Sequence, residues 1–417
     1  MRVMASRALY IGVGVAIAVA IIAIIAALAL MGPPPKKVVR VGALVPLTGG
    51  LASYGAGSRD AIALAVEDAN KMCPGVRFEA LFEDTGTDPT RALERLQALY
   101  ARGARIVVGP MSSREVAAVK EFADRNKILI VSQSSTSPLL AIPGDWIYRV
   151  VPTDLAQARA IVDLLRRLNV TRAVILYRDD PWGAGLRDAV SREAAAAGVR
   201  IVAAEGYPPD PKEFPHAIPP ALDKLARALG APGTDAAVVF VSFEDDGIVA
   251  VRSADASPVL AKVRWVGTDG WAYSAALAEQ AGEVLARHRT LGTIARPHPS
   301  DPRYAEFARR YRERYGRDPV AYDPYAYDAA MMLAQIICNL GTDDPERVRA
   351  ELERWGREGR YTGVTGAVYL DENGDRAFPN YIIWGVKAVE GKPRYVDAGY
   401  YYGLNRTIEE FDREFFK

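Results

Sequence analysis

Histidine and cysteine are scarce: the 417 residues contain three histidines and two cysteines. His216, His288 and His298 lie far apart without metal-ligand spacing, so no zinc site is expected. Cys73 and Cys338 form no C-x-x-C pair, which removes thioredoxin-type redox chemistry and zinc ribbons. Each cysteine falls at the end of an expected helix. Two buried free thiols are the reading adopted, with a disulfide, suited to an oxidising compartment, as the alternative. Charge of one sign is also lacking. Lys and Arg number 52 against 51 acids, a formal net charge of +1, and no nucleic-acid-binding motif is present. Nucleic acid is therefore not an expected partner. There is no G-x-S-x-G, and no histidine lies in a strand-end loop, so a serine nucleophile has no evident base. An enzyme is not expected, and neither is a cofactor.

What the chain has is one long apolar run. Ala8 to Met31 carries no charge, follows Arg2 and Arg7, and precedes the stiff spacer GPPPKK. About 20 apolar residues span a bilayer, and the two arginines would stay inside, placing the rest of the chain outside. The run is long for a signal-peptide core and has no evident cleavage site. Residues 1–37 are read as an uncleaved signal-anchor with its spacer, a cleaved signal peptide being the second choice. The expected location is the extracytoplasmic face of the cell membrane.

From Val38 the pattern becomes strands alternating with helices. Strands are expected at VVRVGALVPL, RFEALFED, IVVGP and ILIVS, and helices at Tyr54 to Lys71, Asp88-Pro89 to Ala101, and Ser112-Ser113 to Arg125. The rhythm restarts after RVVPTD, with helices Asp154 to Leu168, Gly185 to Ala197 and Phe214 to Leu229, the last interrupted early by Pro219-Pro220, and strands RAVILY, RIVAAE, AAVVFVS and VRWVGTD. Such alternation predicts an α/β fold with parallel sheets covered on both faces, repeated in two lobes. Pro302 to Tyr315 and Tyr325 to Leu340 are further helices. Asn373-Gly374 is read as the turn of a late β-hairpin.

Ligands of such sheets sit at the carboxyl ends of the strands. Those ends carry Ser112, then Ser134 and Thr136, then Trp182, Phe243, and Asp269 with Trp271; Tyr54 follows the first strand. Serines at a helix N-terminus offer free N–H groups to a carboxylate. Asp269 suits an ammonium, and Tyr54, Trp182, Phe243 and Trp271 suit an apolar wall. Together they describe a zwitterionic amino acid. Taken singly, Ser112 is as well explained as a helix cap, Asp269 as a turn residue, and each aromatic as core.

The segments VRVGALVPLTGGLASYGAGSRDAIALAVEDAN, IVVGPMSSREVAAVKEFADRNKILIVSQSSTSP, YRDDPWGAGLRDAV, VGTDGWAYSAAL and TGVTGAVYLDENGDR, in that order, resemble the branched-chain amino acid and amide binding proteins of the type I periplasmic binding fold. The likeness runs from Val38 to Trp384. It implies two lobes joined by three crossing strands and closing on a ligand. The first lobe would comprise residues 38–151 and 292–366, the second 152–291 and 367–417. It implies Ser112 and Thr136, with the backbone at Ser134, on a ligand carboxylate, and Asp269 on the amine. Tyr54 and Trp182 fall at aromatic pocket positions, and Phe243 stands where some members carry tyrosine. The partners implied are an amino acid or small amide and the permease of an ABC transporter, with the N-terminal helix in the membrane. Some members carry a first-lobe disulfide at positions occupied here by Thr87 and Met111, so that bond does not carry over. The alternatives are a membrane-tethered sensory receptor of the same fold and, less favoured, an amide hydrolase.

Overall fold

The computed structural model describes residues 36–320, 322–377 and 380–417. The segment Ala8–Met31, read as a signal-anchor, lies outside them. Among the described residues no helix is long and apolar enough to cross a membrane.

Two sheets organise the chain. In the first, Val76–Asp84, Lys37–Val45, Ile106–Val108, Leu129–Ser132, Ile147–Pro152 and Asp375–Arg376 lie side by side and parallel. The inner strands Ile106–Val108 and Leu129–Ser132 are wholly buried, as a sheet with helices on both faces requires. Helices Ala52–Met72, Pro89–Ala101 and Ser113–Asn126 follow its strands, and Asp323–Leu340 packs along Ala52–Met72. Asp375–Arg376 still belongs to this sheet, so the chain leaves the first lobe beyond Arg376 rather than at residue 367.

The second sheet runs Arg200–Tyr207, Arg172–Arg178, Ala236–Val241, Arg264–Gly267, Leu291–Ala295, Asn380–Val389, Lys392–Tyr402 and Thr407–Glu410. Its first five strands are parallel, as expected. The last three form an antiparallel meander. Glu390 and Gly391 turn it with φ of 51° and 76°, the pair of positive values that a two-residue hairpin turn needs. Among the described residues the strands change between the two sheets three times: after Pro152, after Ala295, and from Arg376 to Asn380.

Several elements differ from expectation. The helices Glu244–Asp255, Ala275–Arg287 and Pro345–Glu358 were not foreseen. Asn373-Gly374 does turn the chain, with Gly374 at φ 75°. The strand after it, however, meets the preceding one through a single bridge, Leu370 to Arg376, because Asp375–Arg376 is drawn into the first sheet beside Ile147–Pro152. The cysteines are not free. Cys73, just past helix Ala52–Met72, is disulfide-bonded to Cys338 in the last turn of Asp323–Leu340. The packing of those two helices brings the Cα atoms to 6.0 Å, within disulfide reach.

Candidate ligand-binding site

The carboxyl ends of both sheets face each other across a cleft. On the first lobe the N-terminus of helix Ser113–Asn126 is fixed by a reciprocal cap. Ser112 N and Oγ donate to Glu115 Oε2 at 2.9 and 2.6 Å, and Glu115 N donates to Ser112 Oγ at 3.3 Å. The helix's first N–H groups have no partner within the helix and point along its positive end. Next to it, Ser134 Oγ donates to the Met111 carbonyl at 2.8 Å. Asp84 orders the loop after the first strand by accepting from Leu47 N and Thr48 Oγ1, both at 2.8 Å; Leu51 and Tyr54 follow that loop.

On the second lobe Asp180 caps helix Pro181–Ala196 by accepting from Trp182 N and Gly183 N at 3.0 Å. The Trp182 ring stacks on Phe243 with centroids 4.8 Å apart. Asp269 stands at the end of Arg264–Gly267, with Gly270 beside it. A Cβ on Gly270 would lie 2.4 Å from the Ser242 carbonyl oxygen and 2.7 Å from the Trp182 ring, so only glycine fits there.

The cleft is shut. Tyr54 OH donates to the Ala272 carbonyl at 2.9 Å, Ser53 Oγ to Glu244 at 2.7 Å, and Ser137 Oγ to the Pro181 carbonyl at 2.5 Å, all between lobes. Tyr322, at the start of the first-lobe helix Asp323–Leu340, donates its hydroxyl to Asp269 Oδ2, and Gln157 Nε2 donates to Asp269 Oδ1 at 2.8 Å. Between these contacts lies a cavity of about 30 Å³.

Six of the residues expected at a site line this cavity: Tyr54, Ser112, Ser134, Trp182, Phe243 and Asp269. Thr136 is buried beside it but does not reach the lining. Trp271 does not reach it either. Its ring is fully buried against Phe240 and Trp384, centroids at 6.0 and 5.6 Å, in the second-lobe core. The Ser112 hydroxyl gives its proton to Glu115, so in this closed form it does not donate into the cavity. Sequence reasoning missed Leu51, Met111, Ser113, Gly270 and Tyr322. Gly270 had a signal in its Asp-Gly pairing. Tyr322 had none, since the helix that carries it was expected to start at Tyr325.

The electrostatics are dominated by buried acids. Burial raises the Asp269 carboxyl, while hydrogen bonds from Tyr322 and Gln157 pull it back. Asp154, fully buried on the helix that carries Gln157, is pushed well up by burial and then by the Asp269 charge. Glu244 is raised by burial, against the hydroxyl of Ser274 and that of Ser53. The second-lobe side of the cleft thus collects carboxyls that a ligand cation would relieve.

Asp323, next to Tyr322, is pushed up to about 7 by burial. Between its ordinary value and this one, the folded protein holds a proton that the unfolded chain has lost. Stability from this group is therefore greatest at low pH, falls as pH rises from about 4 to about 7, and is level beyond. Asp323→Asn is expected to flatten this slope, read as the wild-type-minus-variant melting temperature at several pH values. Parallel curves would show that Asp323 does not titrate in this way.

Residues 57–388 match the receptor family ligand binding region. The chain belongs to this family. It is 31% identical over 371 residues to an uncharacterized protein of Methanocaldococcus jannaschii, covering 84% of this chain and 87% of that one. It is 25% identical over 377 residues to Leu/Ile/Val-binding protein homolog 1 of Brucella suis, covering 89% and 97%. Among solved structures, a leucine-binding protein of Thermotoga maritima superposes with a TM-score of 0.73 at 22% identity, over 90% of this chain and 99% of that one. The fold is therefore the type I periplasmic binding fold.

Proposed function

We propose that this protein is the extracytoplasmic solute-binding component of an ABC transporter, which captures an amino acid between its lobes and presents it to a permease. The observation that carries this reading is the cavity between the lobes, which as it stands has room for about one water, so the lobes must part to admit a ligand. The cavity has a helix N-terminus and serines on one lobe, and a buried acid flanked by aromatic rings on the other. The N–H groups at Ser113, with Ser134 and Thr136 close by, receive the ligand carboxylate. Asp269 receives the ammonium, and Tyr54, Trp182 and Phe243 cover the side chain. A ligand held at both ends favours the closed state, which is the form a permease would read. The Cys73–Cys338 disulfide suits an oxidising compartment, and the N-terminal apolar run would keep the protein at the membrane.

A thermal-shift screen against amino acids, short amides and urea tests this. A ligand at one hundred times its Kd adds about 2.7 kcal/mol to stability, which in a protein of this size raises the melting temperature by roughly 3–4 °C. Asp269→Asn is expected to weaken binding of a free amino acid by about 100-fold, because a hydrogen-bonded charge pair in a dry site is lost. A shift by urea but by no amino acid would redirect the reading to amides. No shift with refolded, ligand-free protein would refute it.

A further inference from the structure

The two stacked rings of the second lobe, Trp182 and Phe243, stand at the starts of different helices, Pro181–Ala196 and Glu244–Asp255. Each start is held by a buried aspartate. Asp180 Oδ1 accepts from Trp182 N and Gly183 N, both at 3.0 Å, and Asp246 Oδ1 accepts from Phe243 N at 2.8 Å. One side chain joins the two aspartates. Arg178 Nε donates to Asp180 Oδ2 at 2.9 Å and Arg178 Nη1 to Asp246 Oδ2 at 2.6 Å. The same guanidinium lies over the Phe243 ring, 4.3 Å from its centroid. A Cβ on Gly183 would lie 1.9 Å from the Arg178 carbonyl oxygen, so the first turn of the Trp182 helix seats directly on Arg178. Arg178 is 7% exposed, and it is absent from the cavity lining.

We infer that Arg178 is a positioning residue that fixes the spacing and tilt of the Trp182–Phe243 wall, and so sets how well the cavity grips a large apolar ligand side chain. The inference rests on the amino-acid-binding reading above. Its physical basis is the shape of guanidinium, whose rigid fork bonds two carboxylates in different directions while its face covers a ring. Lysine has a single charged point and cannot keep all three contacts. Without Arg178 the two caps lose their common anchor, and the helices that carry the rings are free to shift independently.

The test uses the whole chain with Arg178→Met, Arg178→Lys and, as a packing control on the same strand, Val174→Ala. L-Leucine and L-alanine are titrated by calorimetry, and near-ultraviolet circular dichroism of ligand-free protein reports the stacked pair. Leucine reaches the wall and alanine does not. Arg178→Met is therefore expected to weaken leucine binding by about tenfold and alanine binding by less than about threefold, with a changed aromatic signal. Arg178→Lys should fall between, and it supplies the same readouts if the methionine variant does not fold. Val174→Ala is expected to lower the melting temperature while the leucine-to-alanine ratio and the spectrum stay as in wild type. Arg178 variants that lose melting temperature but keep both ratio and spectrum would overturn the inference. If wild type binds neither amino acid, the amino-acid-binding reading loses its support, and the aromatic signal alone decides whether Arg178 holds the pair.

Discussion

Arg178 is not the only arginine with a large expected effect: Arg149→Met is expected to destabilise the protein by about 3–5 kcal/mol, the range for breaking one side of a buried ion pair. Arg149 is 1% exposed and Asp375 2%. The pair is bidentate, with Nε to Oδ1 at 2.5 Å and Nη2 to Oδ2 at 2.6 Å. Nη1 also donates to the Ser137 carbonyl at 2.6 Å, tying down the loop that carries Ser134 and Thr136. Methionine fills much of the volume but leaves Asp375 buried without its cation. Burial already raises that carboxyl, and Arg149 is the charge that pulls it back. The variant should therefore take up a proton at Asp375 on folding, and its deficit should grow from acid to neutral pH. Pairing it with Asp375→Leu should recover most of the loss, because neither charge is then left alone. Urea unfolding of wild type, single and double variants measures this. A single variant within about 1 kcal/mol of wild type would mean that the pair contributes little beyond its own desolvation.

Cys73→Ser is expected to cost about 2–5 kcal/mol, the usual range for loss of a native disulfide. The bond spans 265 residues of sequence, and its removal releases a long stretch of unfolded chain. In a protein of this size that lowers the melting temperature by roughly 2–6 °C. Reduction of wild type with dithiothreitol should reproduce the shift, and the Cys73→Ser protein should be indifferent to reductant. Cys73 precedes the strand Val76–Asp84 and so lies at the amino edge of the sheet, away from the cleft. Ligand affinity well below the melting temperature should then stay within about twofold of wild type, since sites with no shared partners act independently. A fall in affinity at 25 °C would show that the bond also shapes the cleft.

Much of the fold was legible because its signals are local. Phe214 to Leu229 was expected as a helix interrupted early at Pro219-Pro220; its bounds hold, but the structure keeps both prolines inside one continuous helix. Asp88-Pro89 and Ser112-Ser113 announced helix starts through cap chemistry that needs only neighbouring residues. The final stretch was not legible. Lys392–Tyr402 pairs with Asn380–Val389 and packs on helix Ala275–Arg287, and the choice between strand and loop there depends on partners far away in sequence. The cysteine pairing was misread for the same reason. Both helix ends were recognised, but their approach depends on how Asp323–Leu340 packs along Ala52–Met72.

The candidate site divides along the same line. Tyr54, Ser112, Ser134, Trp182, Phe243 and Asp269 could be picked out because strand carboxyl ends converge in any sheet of this topology. Trp271 sits in the same kind of position, yet its ring turns into the core. Ser112 proved to be engaged by its own cap, a contact written in Ser112-x-x-Glu115 and as local as the helix it starts.

The sequence by itself determined the alternation of strands and helices, the helix caps and the chemistry available at each strand end, because these depend on residues a few positions apart. Tertiary structure alone decided which aromatics face the cavity and that Tyr322 closes over Asp269. It also decided that Cys73 meets Cys338, and that one arginine, Arg178, bridges the caps of two helices. Those outcomes depend on distances between residues dozens to hundreds of positions apart, and only the packing of the two sheets sets such distances.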